Sequence, residues 1–131
     1  MDREAVLAAI QRHWQYIGSN VDISHEIYHD DAVIEFPQGQ ERYVGKENVK
    51  AWRKNYPASL EFKIRRIRGS GDLWVVEVSV SYNKGFWNFG VQILEFSGDK
   101  VARETIYVTE GWEAPEWRAP WRSEWIDESS S

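Results

Sequence analysis

Apolar residues at Val6, Leu7, Ile10, Trp14 and Ile17 recur every three or four positions, which predicts an amphipathic helix over residues 2–17 with Asp2 as its cap. After the break at Gly18-Ser19-Asn20, a second short helix is expected from about Asp22 to His29. Asp30-Asp31 interrupts that pattern, and Ala32 to Phe36 reads as a short strand stopped by Pro37. Residues 37–45 read as a loop ending at Gly45. A third helix is expected from Lys46 to Tyr56, with Val49 and Trp52 inward and Pro57 closing it. From Leu60 onward the period changes to two. Strands are predicted at about 60–69, 72–83, 86–97 and 100–110, divided by the turn sequences Gly69-Ser70-Gly71, Asn83-Lys84-Gly85 and Ser97-Gly98-Asp99. Helices followed by a four-strand meander define an α+β domain with a curled, mainly antiparallel sheet.

The length of 131 residues suits one domain over residues 1–131. Its last part, residues 111–131, is rich in Trp and Pro and is expected to pack on the domain or on a partner subunit, with Ser129-Ser130-Ser131 frayed. Trp117, Trp121 and Trp125 repeat every four residues, a spacing that one helix face would share if Pro120 did not strain it. The chain has no cysteine, so disulfide and thiol chemistry are excluded and a reducing compartment fits. The opening residues lack the apolar run of a signal peptide, and no stretch is long enough to span a membrane. A cytoplasmic location is therefore expected. The net charge of −5 argues against nucleic acid as a partner. Lys63, Arg65, Arg66 and Arg68 do cluster, but Phe62, Ile64 and Ile67 alternate with them, which describes a strand with one solvated face.

The run from Asp30-Asp31-Ala32 through Ile34-Glu35-Phe36-Pro37 to Tyr43-Val44-Gly45 resembles the strand-and-loop signature of the nuclear-transport-factor-2-like superfamily. The ending Gly98-Asp99-Lys100 to Tyr107, followed by Glu113-Ala114-Pro115-Glu116-Trp117-Arg118-Ala119-Pro120-Trp121, is similar to its SnoaL-like branch. The resemblance implies N-terminal helices wrapped by a cone-shaped sheet around one pocket. It also implies a small-molecule enzyme on a hydrophobic cyclic or polyketide-like substrate, or a non-catalytic binding or dimerisation module of the same fold. Superposed on the ketosteroid isomerases, Phe36 stands where their aspartate would be, Gln92 near their oxyanion-hole acid, and His13 or Trp14 near their tyrosine. The charged set of the epoxide hydrolases falls on Val78, Val80 and Ile106. Neither catalytic set is present.

The same resemblance sets which strand face looks inward: Trp74, Val76, Val78, Val80 and Tyr82; Asn88, Gly90, Gln92 and Leu94; Ala102, Glu104, Ile106 and Val108. Ile34, Phe36, Trp14, His13, Trp52 and Tyr56 complete the expected ligand-contacting set with Asn88, Gln92, Trp74, Val78, Val80, Ile106 and Val108. Glu104 is the candidate catalytic residue, because a carboxyl among Val, Ile and Leu loses hydration and its pKa rises toward neutrality. Hairpin pairing is expected to set Gln92 beside it, where an amide could orient the carboxyl or bind an enolate oxygen. The alternative is an ion pair of Glu104 with His13 or Arg118. Glu35 and Glu77 have the opposite parity and are expected outside, within reach of Arg103. The outward set Val75, Trp87, Phe89, Val91 and Ile93 is too apolar for water and predicts a homodimer.

His25-Glu26-Ile27-Tyr28-His29 matches the zinc pattern H-E-x-x-H, with Glu47 as a third donor. A three-position pattern matches a chain this long by chance roughly one time in a hundred. The helix is short and runs straight into Asp30-Asp31, so no metal is expected, and no cofactor either.

Overall fold

The computed structural model describes residues 2–126, and the fraying expected at residues 129–131 lies outside them. Asp2 is extended, and its carboxylate accepts the Ala5 N–H, which starts helix α1 (Arg3–Tyr16). Such a cap is worth about 1 kcal/mol. The predicted stripe turns Val6, Ile10, His13 and Trp14 into the interior. Helix α2 (Val21–Ser24) is a single turn capped by Asn20, and it continues as a 3-10 turn over His25–Ile27.

The second helix ends earlier than expected, because the backbone is extended from Tyr28 and His29 belongs to strand β1 (Tyr28–Phe36). The cause is tertiary. β1 pairs in parallel with the last strand, Tyr28 opposite Val101 and Ile34 opposite Glu104, and Asp30-Asp31 falls in the irregular stretch between. The segment 37–45 is not all loop. After a turn at Pro37–Gly39 with Gln40 left-handed, strand β2 (Glu41–Val44) folds back on β1. Four residues beginning Glu41-Arg42 carry too little alternation to signal a strand. Helix α3 (Lys46–Lys54) buries Val49 fully and ends at Asn55, whose amide donates to the Ala51 carbonyl.

Strands β3 (Leu60–Ser70), β4 (Leu73–Tyr82), β5 (Trp87–Ser97) and β6 (Lys100–Thr109) form the expected meander. The sheet order is β2-β1-β6-β5-β4-β3, a curved sheet that does not close on itself. Two of its hairpins, β3–β4 at the edge and β5–β6 at the centre, are irregular. Arg65 is an extra residue in edge strand β3, between the pairs Ile64–Val78 and Arg66–Glu77. In β6 the pairing passes from Glu95–Arg103 to Phe96–Val101, so Ala102 is bulged. The inward place predicted for Ala102 therefore goes to Val101, which is fully buried. Beyond the bulge the predicted parity holds, with Glu104 and Ile106 buried and Tyr107 exposed.

The core joins Val6, Ile10 and Trp14 of α1 to Trp74, Val76, Val78, Leu94, Phe96 and Ile106 of the sheet. On the opposite face Phe89 (48%), Val91 (37%) and Tyr107 (43%) are exposed. Among the described tail residues only Glu116–Trp121 is helical, as a 3-10 helix containing Pro120. Trp117, Trp121 and Trp125 are 73%, 79% and 74% exposed on the single chain. No helix among the described residues is long and apolar enough to cross a membrane.

Where α1 crosses the β3–β4 hairpin, the Arg3 guanidinium lies 5.3 Å from the Trp74 ring and donates to the Gly69 carbonyl. Gly69 faces Trp74 across the hairpin. A Cβ there would stand 2.3 Å from the Leu73 carbonyl oxygen and 2.8 Å from the indole. Backbone cannot yield as a flexible side chain does. Gly69→Ala is therefore expected to cost about 1–3 kcal/mol in urea unfolding, whereas Gly98→Ala, with open space around it, should lose only the smaller cost of its left-handed backbone.

Candidate functional site: a buried polar chain beside an aromatic cavity

Four elements bring one polar chain into the interior. Glu104 projects inward from β6, opposite Ile34 of β1 and Leu94 of β5, and is 1% exposed. Its Oε1 accepts the Tyr28 hydroxyl hydrogen, and among the described residues no donor reaches Oε2. The Tyr28 oxygen in turn accepts from Arg53 Nη1 at 3.1 Å. The same Nη1 donates to His25 Nε2 at 3.0 Å, and His25 Nδ1–H donates to the Val21 carbonyl at 2.9 Å. Each hydrogen has one direction: guanidinium to imidazole, guanidinium to phenol, phenol to carboxyl.

The electrostatics follow from burial. Loss of hydration holds the Glu104 carboxyl above the usual carboxylate range, and the nearby Arg53 charge and the Tyr28 hydrogen bond only partly oppose it. Burial also raises the Tyr28 phenol, so it remains a donor. His25 is pushed down to about 3 by burial and then by Arg53, which fixes it as a neutral acceptor. His13 is likewise held well below its ordinary value by burial, and its Nδ1–H donates to the Ser24 carbonyl at 2.6 Å.

A cavity of about 140 Å³ opens beside this chain. Of the residues expected from sequence, Glu104, Gln92, Trp14, Phe36, Trp52, Tyr56, Val80, Ile106 and Val108 line it. Ile34, Trp74 and Val78 are instead packed in the closed core. His13 is buried behind, bonded to Ser24, and Asn88 is half-buried at the start of β5, opposite Val80. Ile17, Arg53, Leu60, Phe62, Tyr82 and Gly90 complete the wall. Arg53 is the important omission. It lies four residues after the buried Val49 and so shares that helix face, but a charged residue there reads as solvated.

Two expectations about Glu104 need correction. Gln92 is not its direct partner: the tight turn at Ser97–Lys100 and the Ala102 bulge set Leu94 opposite Glu104 and Gln92 opposite Ile106. The carboxyl also contacts neither His13 nor Arg118. Its neighbours are the phenol of Tyr28 and, through it, Arg53. Outside the sheet, Glu35 takes hydrogen bonds from Arg103 and Thr105, while Glu77 pairs with Arg65 and Arg68 rather than Arg103.

The zinc-like motif has no common helical face. His25 lies in a 3-10 turn with both ring nitrogens engaged, and His29 lies on β1, bonded to the Ser97 carbonyl at 2.6 Å. Among the described residues no group of three His, Cys, Asp or Glu side chains stands close enough to hold a metal ion.

An open six-stranded sheet with helices closing one cavity is the nuclear-transport-factor-2-like fold. The SnoaL-like domain family model matches residues 4–104, so the chain belongs to the SnoaL-like domain family. It is similar to an NTF-2-like protein of Burkholderia xenovorans, at 40% identity over 94% of this chain and 97% of that one, with a TM-score of 0.88. A Kribbella flavida protein provisionally named a ketosteroid isomerase is 20% identical, over 97% and 95%, at TM-score 0.82. An LEH-like epoxide hydrolase of Mycobacterium tuberculosis is 17% identical, over 80% and 83%, at TM-score 0.70. The last two likenesses concern the fold alone. No curated protein matches the sequence significantly.

The neutral histidines tie stability to pH. Unfolded, His25 takes up a proton near pH 6.5, but in the fold only near about 3. Between those values the unfolded state holds the extra proton, so stability falls as pH falls. Well below 6.5 the slope for one such group is about 1.4 kcal/mol per pH unit. Glutamine can accept from Arg53 without titrating. In urea titrations from pH 7 to pH 4, His25→Gln should lose stability less steeply than the parent by about that slope. An unchanged slope would mean that His25 is protonated in the fold.

Proposed function

We propose that this protein is a cofactor-independent enzyme that uses Glu104 as general acid or base on a small, mainly apolar cyclic molecule held in the aromatic cavity. The observation that carries this reading is the state of Glu104. It lines the cavity with Oε2 unbonded, and its pKa is raised by burial. A carboxyl whose proton affinity is raised by burial is a stronger base than an exposed one and a candidate for acid/base work. The size of the cavity narrows the substrate. Cavities of about 150 Å³ take up a single benzene ring, so one ring fits the 140 Å³ here better than a fused polyketide. Trp14 Nε1, Trp52 Nε1 and Gln92 Oε1 are buried without partners, and ligand polar atoms would satisfy them.

A second reading rests on the Tyr28–Glu104 hydrogen bond. A carboxyl tethered on one oxygen also suits a binding module in which it only orients a ligand. The two readings part at Glu104→Gln, because the amide oxygen can still accept from Tyr28. An enzyme should lose turnover of its co-purifying ligand, identified by native mass spectrometry, by at least about 100-fold, with thermal stability held or raised. Unchanged conversion, or a marked loss of stability, would remove the catalytic role. A cysteine-free chain gains nothing from an oxidising compartment, which suits a cytoplasmic enzyme.

We also propose that the working form is a homodimer. Phe89, Val91 and Tyr107 leave an apolar surface on the outer sheet face, and four tail indoles, Trp112, Trp117, Trp121 and Trp125, are exposed as well. Phe89→Glu combined with Val91→Glu should give monomers in analytical ultracentrifugation. If the parent already sediments as a monomer at high concentration, the dimer is excluded.

A further inference from the structure

Arg53 is the charged group the proposed chemistry does not use. Its guanidinium reaches the interior of the fold, yet among the described residues it forms no ion pair, and its hydrogen-bond partners, His25 and Tyr28, are neutral. Both described bonds use Nη1. The three hydrogens on Nε and Nη2 have no acceptor among the described residues, and that edge of a guanidinium matches a carboxylate in shape and spacing. The nearest carboxyl, Glu104, reaches it only through the Tyr28 hydroxyl, and a buried cation without a directly paired counter-charge is costly. Arg53 lines the cavity, and it also lines a polar groove that shares Ile17, Tyr56 and Leu60 with the cavity wall. It therefore stands where a molecule passing from the groove into the cavity would meet it.

We propose, resting on the reading of the cavity as a ligand site, that its ligand is a single planar ring carrying one anionic oxygen group, a carboxylate or an enolate, set against Arg53. The other polar atoms agree in sign. Trp14 and Trp52 each bring an indole N–H without an acceptor. Two acceptors of the wall are unpartnered as well: Gln92 Oε1, where a half-turn of the amide would present N–H instead, and Glu104 Oε2, on a carboxyl that burial shifts toward its protonated form. The wall is thus rich in donors, which calls for a ligand rich in acceptors. The two carboxyls nearest the path do not oppose an anion. Asp22, in the groove, is held by Lys50 and Lys54, and Glu104 is kept toward its neutral form by burial. The rings of Phe36 and Trp52, packed edge to face with centroids 6.0 Å apart, form part of the apolar wall.

The test uses three probes with one ring and different charge: benzoate, benzyl alcohol and benzylamine. Binding at pH 7 is measured by calorimetry and by quenching of tryptophan fluorescence, since Trp14 and Trp52 line the cavity. Benzoate should bind at least ten-fold more tightly than benzyl alcohol, and benzylamine most weakly. Arg53→Gln should abolish the advantage of benzoate and leave benzyl alcohol little changed. Arg53→Lys, which keeps the charge and loses the fork, should retain part of it. If neither variant folds, the ranking of the three probes on the unaltered protein decides alone. Equal or tighter binding of benzyl alcohol or benzylamine overturns the anionic ligand and leaves the cavity reading standing. Failure of all three probes to bind overturns both.

Discussion

The Tyr28 hydroxyl stands between a carboxyl and a guanidinium that never touch each other directly. It accepts from Arg53 and donates to Glu104, and this single oxygen joins α3 to β1 and β1 to β6. Each neighbour would be expensive to bury alone. Glu104 is tolerated inside because the Tyr28 hydroxyl bonds it and burial shifts it toward its protonated form, and Arg53 because two neutral acceptors and two aromatic faces, those of Tyr28 and Trp52, surround it. His25 completes the arrangement by staying unprotonated. The chain is polar enough to specify how the helices sit on the sheet, and it leaves one carboxyl oxygen and part of a guanidinium unspent beside the cavity.

Much of this architecture was legible from periodicity. The alternation after Leu60 located all four strands of the meander within three residues, and the turn sequences located the hairpins. What periodicity misses is pairing decided at a distance. Nothing local makes Tyr28 and His29 extended; the parallel partner β6 does. The four residues of β2 are likewise held by β1 rather than by their own pattern. The inward parity of β6 was right from Glu104 onward and wrong at Ala102, because one bulged residue exchanges the two faces of a strand.

The site was half legible for a related reason. Aromatic and aliphatic wall residues follow from strand and helix faces, and so did the inward carboxyl Glu104. Its partners did not. Tyr28 was hidden inside a motif that reads as a zinc helix, and Arg53 inside a helix end that reads as solvated charge. In both cases the identity of the residue suggested one environment and the fold supplied another. Of the two histidines of that motif, His25 accepts from a guanidinium and His29 donates its Nε2–H to a backbone carbonyl, on two different kinds of backbone.

An open sheet has two edges, and each is a place where a second chain could continue the ladder. At one end β2 offers only four residues. At the other, β3 offers eleven, but Arg65 interrupts the regular spacing of its backbone groups, and Lys63, Arg66 and Arg68 crowd the same stretch with positive charge. An incoming strand would meet a broken register and long basic side chains, two of them held by Glu77. Strand addition, the route toward fibrils, is thereby disfavoured at both edges, by shortness at β2 and by the extra residue in β3.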